Sequence, residues 1–396
     1  MKHLNKLLLT AAALFALIAC GGNDPLDPVT PDPQPTPDPD PVEEIYYSIK
    51  DVSEMTLWEK VGQMFNIMPY NWLGDSKYYT AGADALKQYY AKYPVGGILL
   101  KAENILTPAQ IVEFNKFLHS LDNYPMLCVD EEGGSVARVA KNSNFPVVKY
   151  ESAYAIGSTG NSKNALEMGK NIGAYLYEYG FDVDFAPVAD VWTNSQNTVI
   201  GKRAFGTTAD VVKEMVVQFE KGMQAQKVEG CLKHFPGHGN TSTDSHYGYA
   251  STPKTWDEML SCEIIPFKEA IKEGAKMVMT AHISAPAVTG CDDPATVSEM
   301  MLTGKLRGEI GFKGIIITDS MGMGAITKQF GSEEAAIKAI LAGADVILSP
   351  ASFESTYEAV YNAVKNGTIK EERVNESVTR IIEFKKALLK SRGQLK

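Results

Sequence analysis

The 396-residue sequence has little positive charge: 38 Lys and Arg stand against 48 Asp and Glu, a formal net charge of -10. With no basic cluster to neutralise phosphates, a nucleic-acid partner is excluded. Long hydrophobic runs are also missing. The longest, Leu7–Ala19 behind Lys2 and Lys6, is too short to span a bilayer comfortably and stands where a signal peptide stands. Only five cysteines occur, at positions 20, 128, 231, 262 and 291, and their spacing fits no zinc pattern. A domain of this size needs no staples, and two of these cysteines sit in apolar strand-like runs, so the last four are expected to be free thiols.

Two features of the first 44 residues separate them from the rest. The apolar run ends Leu17-Ile18-Ala19-Cys20, which resembles the lipobox of exported bacterial lipoproteins. That resemblance implies acylation of Cys20 after removal of residues 1–19, and anchoring without a transmembrane helix. Eight of the twenty prolines then fall between Pro25 and Pro41, interleaved with aspartates. Proline at that density favours extended polyproline II and forms no core, so residues 20–44 are expected to be a tether holding residues 45–396 roughly 50 Å off a membrane. Acidity concentrates in this tether and leaves only -5 for the remainder. An outer-membrane or cell-surface lipoprotein is the expected localisation, with a periplasm-facing one as the alternative.

Beyond residue 45, apolar runs rich in Val and Ile alternate with helical periodicity. Strands are expected near 62–67, 95–100, 126–130, 182–187, 230–234, 277–283, 314–319 and 345–349. Helices are expected over 108–121, 165–179 and 208–226, with a capping box at Thr56-Leu57-Trp58-Glu59. Near-continuous apolar strands alternating with helices argue a parallel sheet buried on both faces. Eight such units in about 340 residues point to α/β architecture as a single (β/α)8 barrel of the TIM type. In such a barrel the chemistry sits where strands end, and Asp130, Lys233 with His234, His282 and Asp319 each close an apolar run.

The densest motif is Lys233-His234-Phe235-Pro236-Gly237-His238-Gly239 followed by Asp244-Ser245-His246, which holds three of the six histidines. His234 and His238 are four apart, but Pro236 and Gly237 exclude the helix a zinc pair would need, so no metal is expected. In extended chain Asp244 and His246 project to one side, and a carboxylate beside an imidazole makes a competent general acid. Asp130 and Asp319 both end apolar strands, and spacing alone does not say which does chemistry.

In family order, the segments LWEKVGQMF, VGGILL, CVDEEGGSVARV, DFAPVADV, VIGKRAFG, CLKHFPGHG, TDSH, MTAHI, LRGEIGFKGIIITDSMGM and LAGADVIL resemble glycoside hydrolase family 3 in its bacterial β-N-acetylglucosaminidase branch. The resemblance implies Asp319 as nucleophile, His246 as acid/base and Asp244 as its assistant. It implies Asp130, Arg138, Arg203, Lys233 and His234 as contacts to a terminal sugar, with no cofactor. Ser135 departs from the arginine usual there. The acid/base is expected from the barrel itself, because the chain ends soon after the eighth strand. A monomer hydrolysing terminal β-linked N-acetylglucosamine from an oligosaccharide is the expectation. Its rivals are a phosphorylase with the same site and a non-catalytic glycan-binding lipoprotein.

Overall fold

In the computed structural model, residues 45–241 and 250–396 are described. The expected signal peptide, Cys20, the tether, and the Asp244 and His246 pair all lie outside the described residues. Residues 45–396 form one compact unit. Parallel strands alternate with helices along it: β1 (Phe65–Ile67), β2 (Gly97–Leu99), β3 (Met126–Val129), β4 (Val183–Asp184), β5 (Glu229–Gly230), β6 (Leu232–Phe235), β7 (Met277–Thr280), β8 (Ile315–Thr318) and β9 (Ile347–Leu348). One sheet runs β9-β1-β2-β3-β4-β5 and a second runs β8-β7-β6. Parallel bridges Val188↔Lys233 and Ile317↔Val346 link them at both edges.

The strands are buried on both faces, as their Val and Ile content requires. Alternate residues such as Met126, Cys128, Met277, Met279, Ile315 and Ile317 pack into one inner cluster, joined by Ile381, Phe384 and Leu388 from the Glu371–Arg392 helix. Their neighbours Leu127, Val278 and Ile316 face the helices. Both cysteines expected in the core are there, and Cys128, Cys231, Cys262 and Cys291 are all free thiols. The two long helices Ser162–Glu178 and Ala209–Ala225 cross with glycines at the contact. A Cβ on Gly169 would lie 2.1 Å from the Phe219 carbonyl oxygen, and one on Gly222 2.4 Å from that of Leu166.

Several boundaries differ from expectation. Residues 62–63 belong to the Leu57–Gln63 helix, opened by the expected capping box, in which Thr56 Oγ accepts from the Glu59 N–H at 3.2 Å. The 182–187 and 345–349 strands shrink to Val183–Asp184 and Ile347–Leu348, and the carboxylates of the aspartates that start them serve other elements. Asp182 accepts from Tyr124 (2.9 Å), Arg392 (2.6 Å) and the Leu127 N–H (2.8 Å), and pairs with His119 at 2.8 Å. Asp345 pairs with Arg307 and Arg380, and accepts from Ser377 at 2.6 Å. Both carboxylates therefore tie the C-terminal helix to the strand starts, the end that in this architecture carries stability rather than chemistry.

Burial opposes ionisation of Asp182, but His119 and Arg392 outweigh it and hold the carboxyl at about 2. Its contribution to stability is therefore complete above the unfolded-state value of ~3.9 and is lost as pH falls towards 2. Arg392→Met should cost about 3–5 kcal/mol at pH 7, because a buried charge loses its partner. The variant's Asp182 would protonate at higher pH, so the gap to wild type should narrow at pH 4. Urea unfolding at both pH values measures this, and an equal gap at each would contradict the assignment.

Candidate active site

Six of the residues singled out from the sequence, Asp130, Arg138, Arg203, Lys233, His234 and Asp319, line one cavity of about 290 Å³. The fold brings them together from four strand ends. Asp130 follows β3, Lys233 and His234 lie within β6, Asp319 follows β8, and Arg203 closes the short 3-10 turn Gly201–Arg203 beyond β4. The peptide between Lys233 and His234 is cis.

Lys233 is the hub. Its side chain is 3% exposed, and its ammonium lies 2.6 Å from Glu132 and 3.2 Å from Asp130. Asp130 also meets Arg138 at 3.2 Å and Lys101 at 3.4 Å. Burial penalises that carboxylate, yet Lys233, Lys101 and Arg138 hold it far below the ordinary carboxylate range. Glu132 is gripped on both oxygens by Arg203, at 2.8 and 2.7 Å. Against the cost of burial, Arg203 and Lys233 keep it at about 2. Such forked pairing fixes a guanidinium plane as a single cation–anion contact does not. Burial disfavours the Lys233 charge, but Glu132 and Asp130 raise its ammonium above the usual value.

His234 is oriented from behind. Its Nδ1–H donates to Asp190 at 2.7 Å, and its Nε2 stands 3.4 Å from Arg203 Nη2, so the ring plane is fixed from both sides. The same fully buried Asp190 accepts the backbone N–H groups of His234 and His238 and so pins the whole loop after β6. His238 lines the cavity, with Nδ1 2.8 Å from Thr241 Oγ, and burial lowers its pKa. The described segment stops there: Asp244 and His246 fall within residues 242–249, outside the described residues.

Asp319 is held differently from Asp130. Among the described residues it accepts one hydrogen bond, from the Ser320 N–H at 2.7 Å. Burial opposes its ionisation, but His282, His234 and that N–H outweigh it and leave the carboxyl below its ordinary value. His282 is 2% exposed and donates from Nε2 to the Ser320 carbonyl at 2.9 Å, so it clamps the turn that carries Asp319. Spacing does not distinguish the two aspartates, but their surroundings differ: Asp130 meets three cations, and among the described residues Asp319 meets none within hydrogen-bond distance.

Sequence reasoning left Glu132, Asp190 and Lys101 unassigned, although Glu132 and Asp190 stand inside motifs it quoted. Ser135, the departure from the family pattern, is exposed at the tip of the Glu131–Gly133 and Val136–Ala137 hairpin and does not line the cavity. The hairpin is pinned instead by Glu131, which accepts from the N–H groups of Arg138 (2.6 Å), Val139 (2.8 Å) and Ala140 (2.9 Å), and so sets where Arg138 stands. No three His, Cys, Asp or Glu side chains among the described residues converge as a metal site would need.

The glycosyl hydrolase family 3 N-terminal domain matches residues 56–384. β-Hexosaminidase A of Pseudoalteromonas piscicida is 31% identical over 78% of this chain, which spans 56% of that protein's length. β-Hexosaminidase LpqI of Mycobacterium tuberculosis is 32% identical, over 74% of this chain and 76% of its own. Among solved structures, a family 3 β-N-acetylglucosaminidase from Paenibacillus sp. str. FPU-7 superposes with a TM-score of 0.78 at 34% identity, covering 86% of this chain and 63% of that one. The chain belongs to glycosyl hydrolase family 3.

Proposed function

We propose that the protein is a retaining exo-acting β-N-acetylglucosaminidase that releases terminal β-linked N-acetylglucosamine from an oligosaccharide. The observation that carries this reading is the contrast between the two aspartates: one is locked by three cations, the other is ionised, buried and open to the cavity. Asp319 attacks the anomeric carbon as the bond to the leaving oxygen breaks, forming a glycosyl–aspartate through an oxocarbenium-like transition state. His246, held by Asp244, gives its proton to the leaving oxygen. It then takes one from the incoming water, whose oxygen displaces Asp319. Asp130, Arg138, Lys233, Arg203 and His234 bind the sugar hydroxyls and hold the ring for attack. Relatives named β-hexosaminidase and β-N-acetylglucosaminidase support the choice of sugar. The eight strand positions close into a single (β/α)8 barrel, a reading supported by the bridges at both sheet edges.

A phosphorylase would need surplus positive charge for phosphate. The cavity lining holds the four cations Lys101, Arg138, Arg203 and Lys233 and the three carboxylates Asp130, Glu132 and Asp319, and each of the four cations is already paired with Asp130 or Glu132. With those cations engaged, little positive charge is left for phosphate, which favours water as the acceptor. Residues 1–19 act as the lipoprotein signal peptide, Cys20 carries the lipid, and residues 20–44 hold the barrel of residues 45–396 away from an outer-membrane or cell surface.

The dyad is tested with aryl N-acetylglucosaminides of graded leaving-group ability. The wild type should release free N-acetylglucosamine whether or not phosphate is present. His246→Ala should lose ~10²–10⁴-fold on poor leaving groups and much less on activated ones, with azide restoring turnover of the latter. Asp244→Ala should show a milder version and bring the alkaline limb of the pH profile to lower pH, since a neighbouring carboxylate raises a histidine pKa. Equal losses on all leaving groups without azide rescue would move the acid/base elsewhere, and no turnover by the wild type would favour the glycan-binding rival.

The anchor has its own test. Cys20→Ala should leave the protein soluble after cell fractionation or stalled as an unprocessed precursor. Membrane partitioning and mobility identical to wild type would remove the lipoprotein assignment.

A further inference from the structure

A second, larger cavity of about 720 Å³ lies against the first, and the two share only Ser320 and Met323, residues just past Asp319. The charged groups that would fix a terminal sugar stand on the opposite side of the first cavity, after β3 and within β6. The reacting carbon is therefore at the junction, and whatever is bonded to it on the leaving side points into the second cavity. Among the described residues no Lys or Arg lines this groove, and Glu354 is the one charged residue that does.

Its outer wall is a built hairpin. Trp72 Nε1–H donates to the Met68 carbonyl at 2.9 Å, and the Trp72 ring stacks on Tyr89 at 5.3 Å between centroids. The Asn71 side chain accepts from the Ser76 N–H at 2.7 Å, and Tyr79 donates to Asp75 at 2.6 Å. This frame holds Tyr70 at the groove, 40% exposed and backed by Tyr78 at 4.7 Å. On the floor, Ser349 is 7% exposed and its backbone sits in the left-handed region at φ 43°. Its N–H donates to Asn66 and its carbonyl accepts from Gly322, but among the described residues its Oγ has no partner. Opposite, Glu354 accepts from Tyr89 and Tyr93, each at 3.2 Å, so the carboxylate is fixed in place.

An exposed aromatic face, an unpartnered buried hydroxyl and one fixed negative charge suit an uncharged sugar: the ring stacks, a hydroxyl meets Ser349, and a carboxylate is repelled. Resting on the glycosidase reading above, we propose that this groove binds the leaving-group side of the substrate, and that its occupants are the second and third residues of a neutral amino-sugar chain rather than a sugar bearing an acidic substituent.

The test measures kcat/KM on three substrates: tetra-N-acetylchitotetraose, the same chain with a lactyl ether carboxylate on its second sugar, and 4-nitrophenyl N-acetylglucosaminide. Wild type should prefer the neutral chain to the carboxylated one by about tenfold, and Glu354→Gln should narrow that preference severalfold. Tyr70→Ala should lower the ratio of neutral-chain to aryl-glycoside kcat/KM by about tenfold. A ratio unmoved by Tyr70→Ala, or a carboxylated chain cleaved as fast as the neutral one, would overturn the proposal. If the wild type turns over none of the three, the glycosidase reading fails by itself. Calorimetric binding of the two chains to the same proteins then decides the groove by the same ordering.

Discussion

A single buried ammonium organises the site. Lys233 is removed from water, so it must be matched, and it is matched by two carboxylates from one neighbouring segment, Asp130 and Glu132. Each of those needs further cations. Asp130 draws in Lys101 and Arg138, and Glu132 takes both oxygens' worth of Arg203. Buried pairs of this kind stabilise little against an apolar core, but breaking one is expensive, so every member is confined to one geometry. What results is a rigid array of donors and acceptors on one side of the cavity and a single lightly held carboxylate, Asp319, on the other.

The same rule divides the two ends of the strands. Where strands begin, Asp182 and Asp345 are enclosed by arginines of the C-terminal helix and of the segment before β8, and serve the fold. Where strands end, charges line a cavity. A strand buried on both faces leaves its ends as the places where polar groups can stand, and the protein uses one set for cohesion and the other for the site.

Strand positions were legible because Val and Ile runs are what a two-sided burial demands. Their lengths were not: the apolar runs extend past the paired residues, and the carboxylates at two of their starts answer to a helix far along the chain. Asp130, Lys233, His234 and Asp319 were legible as the polar residues that close apolar strands, and Arg138 and Arg203 came through family motifs. Glu132 and Asp190 were passed over since their roles depend on partners 71 and 44 residues away, which no local spacing reveals. The distinction between Asp130 and Asp319 was also closed to spacing: it lies in the cations around one and the open lone pairs of the other. The second groove takes only Ser320, Gly322 and Met323 from a quoted motif, and it exists only once β1, β8 and β9 are neighbours.

The central claim is that Asp319, of the two aspartates, forms the bond to the sugar. Incubation with 5-fluoro-N-acetylglucosaminyl fluoride, followed by peptide mapping by mass spectrometry, tests it directly. The account predicts a time-dependent adduct of one sugar on the peptide carrying Asp319, discharged when activity returns. An adduct on Asp130 or any other residue would contradict it, as would turnover of the reagent with no covalent species formed.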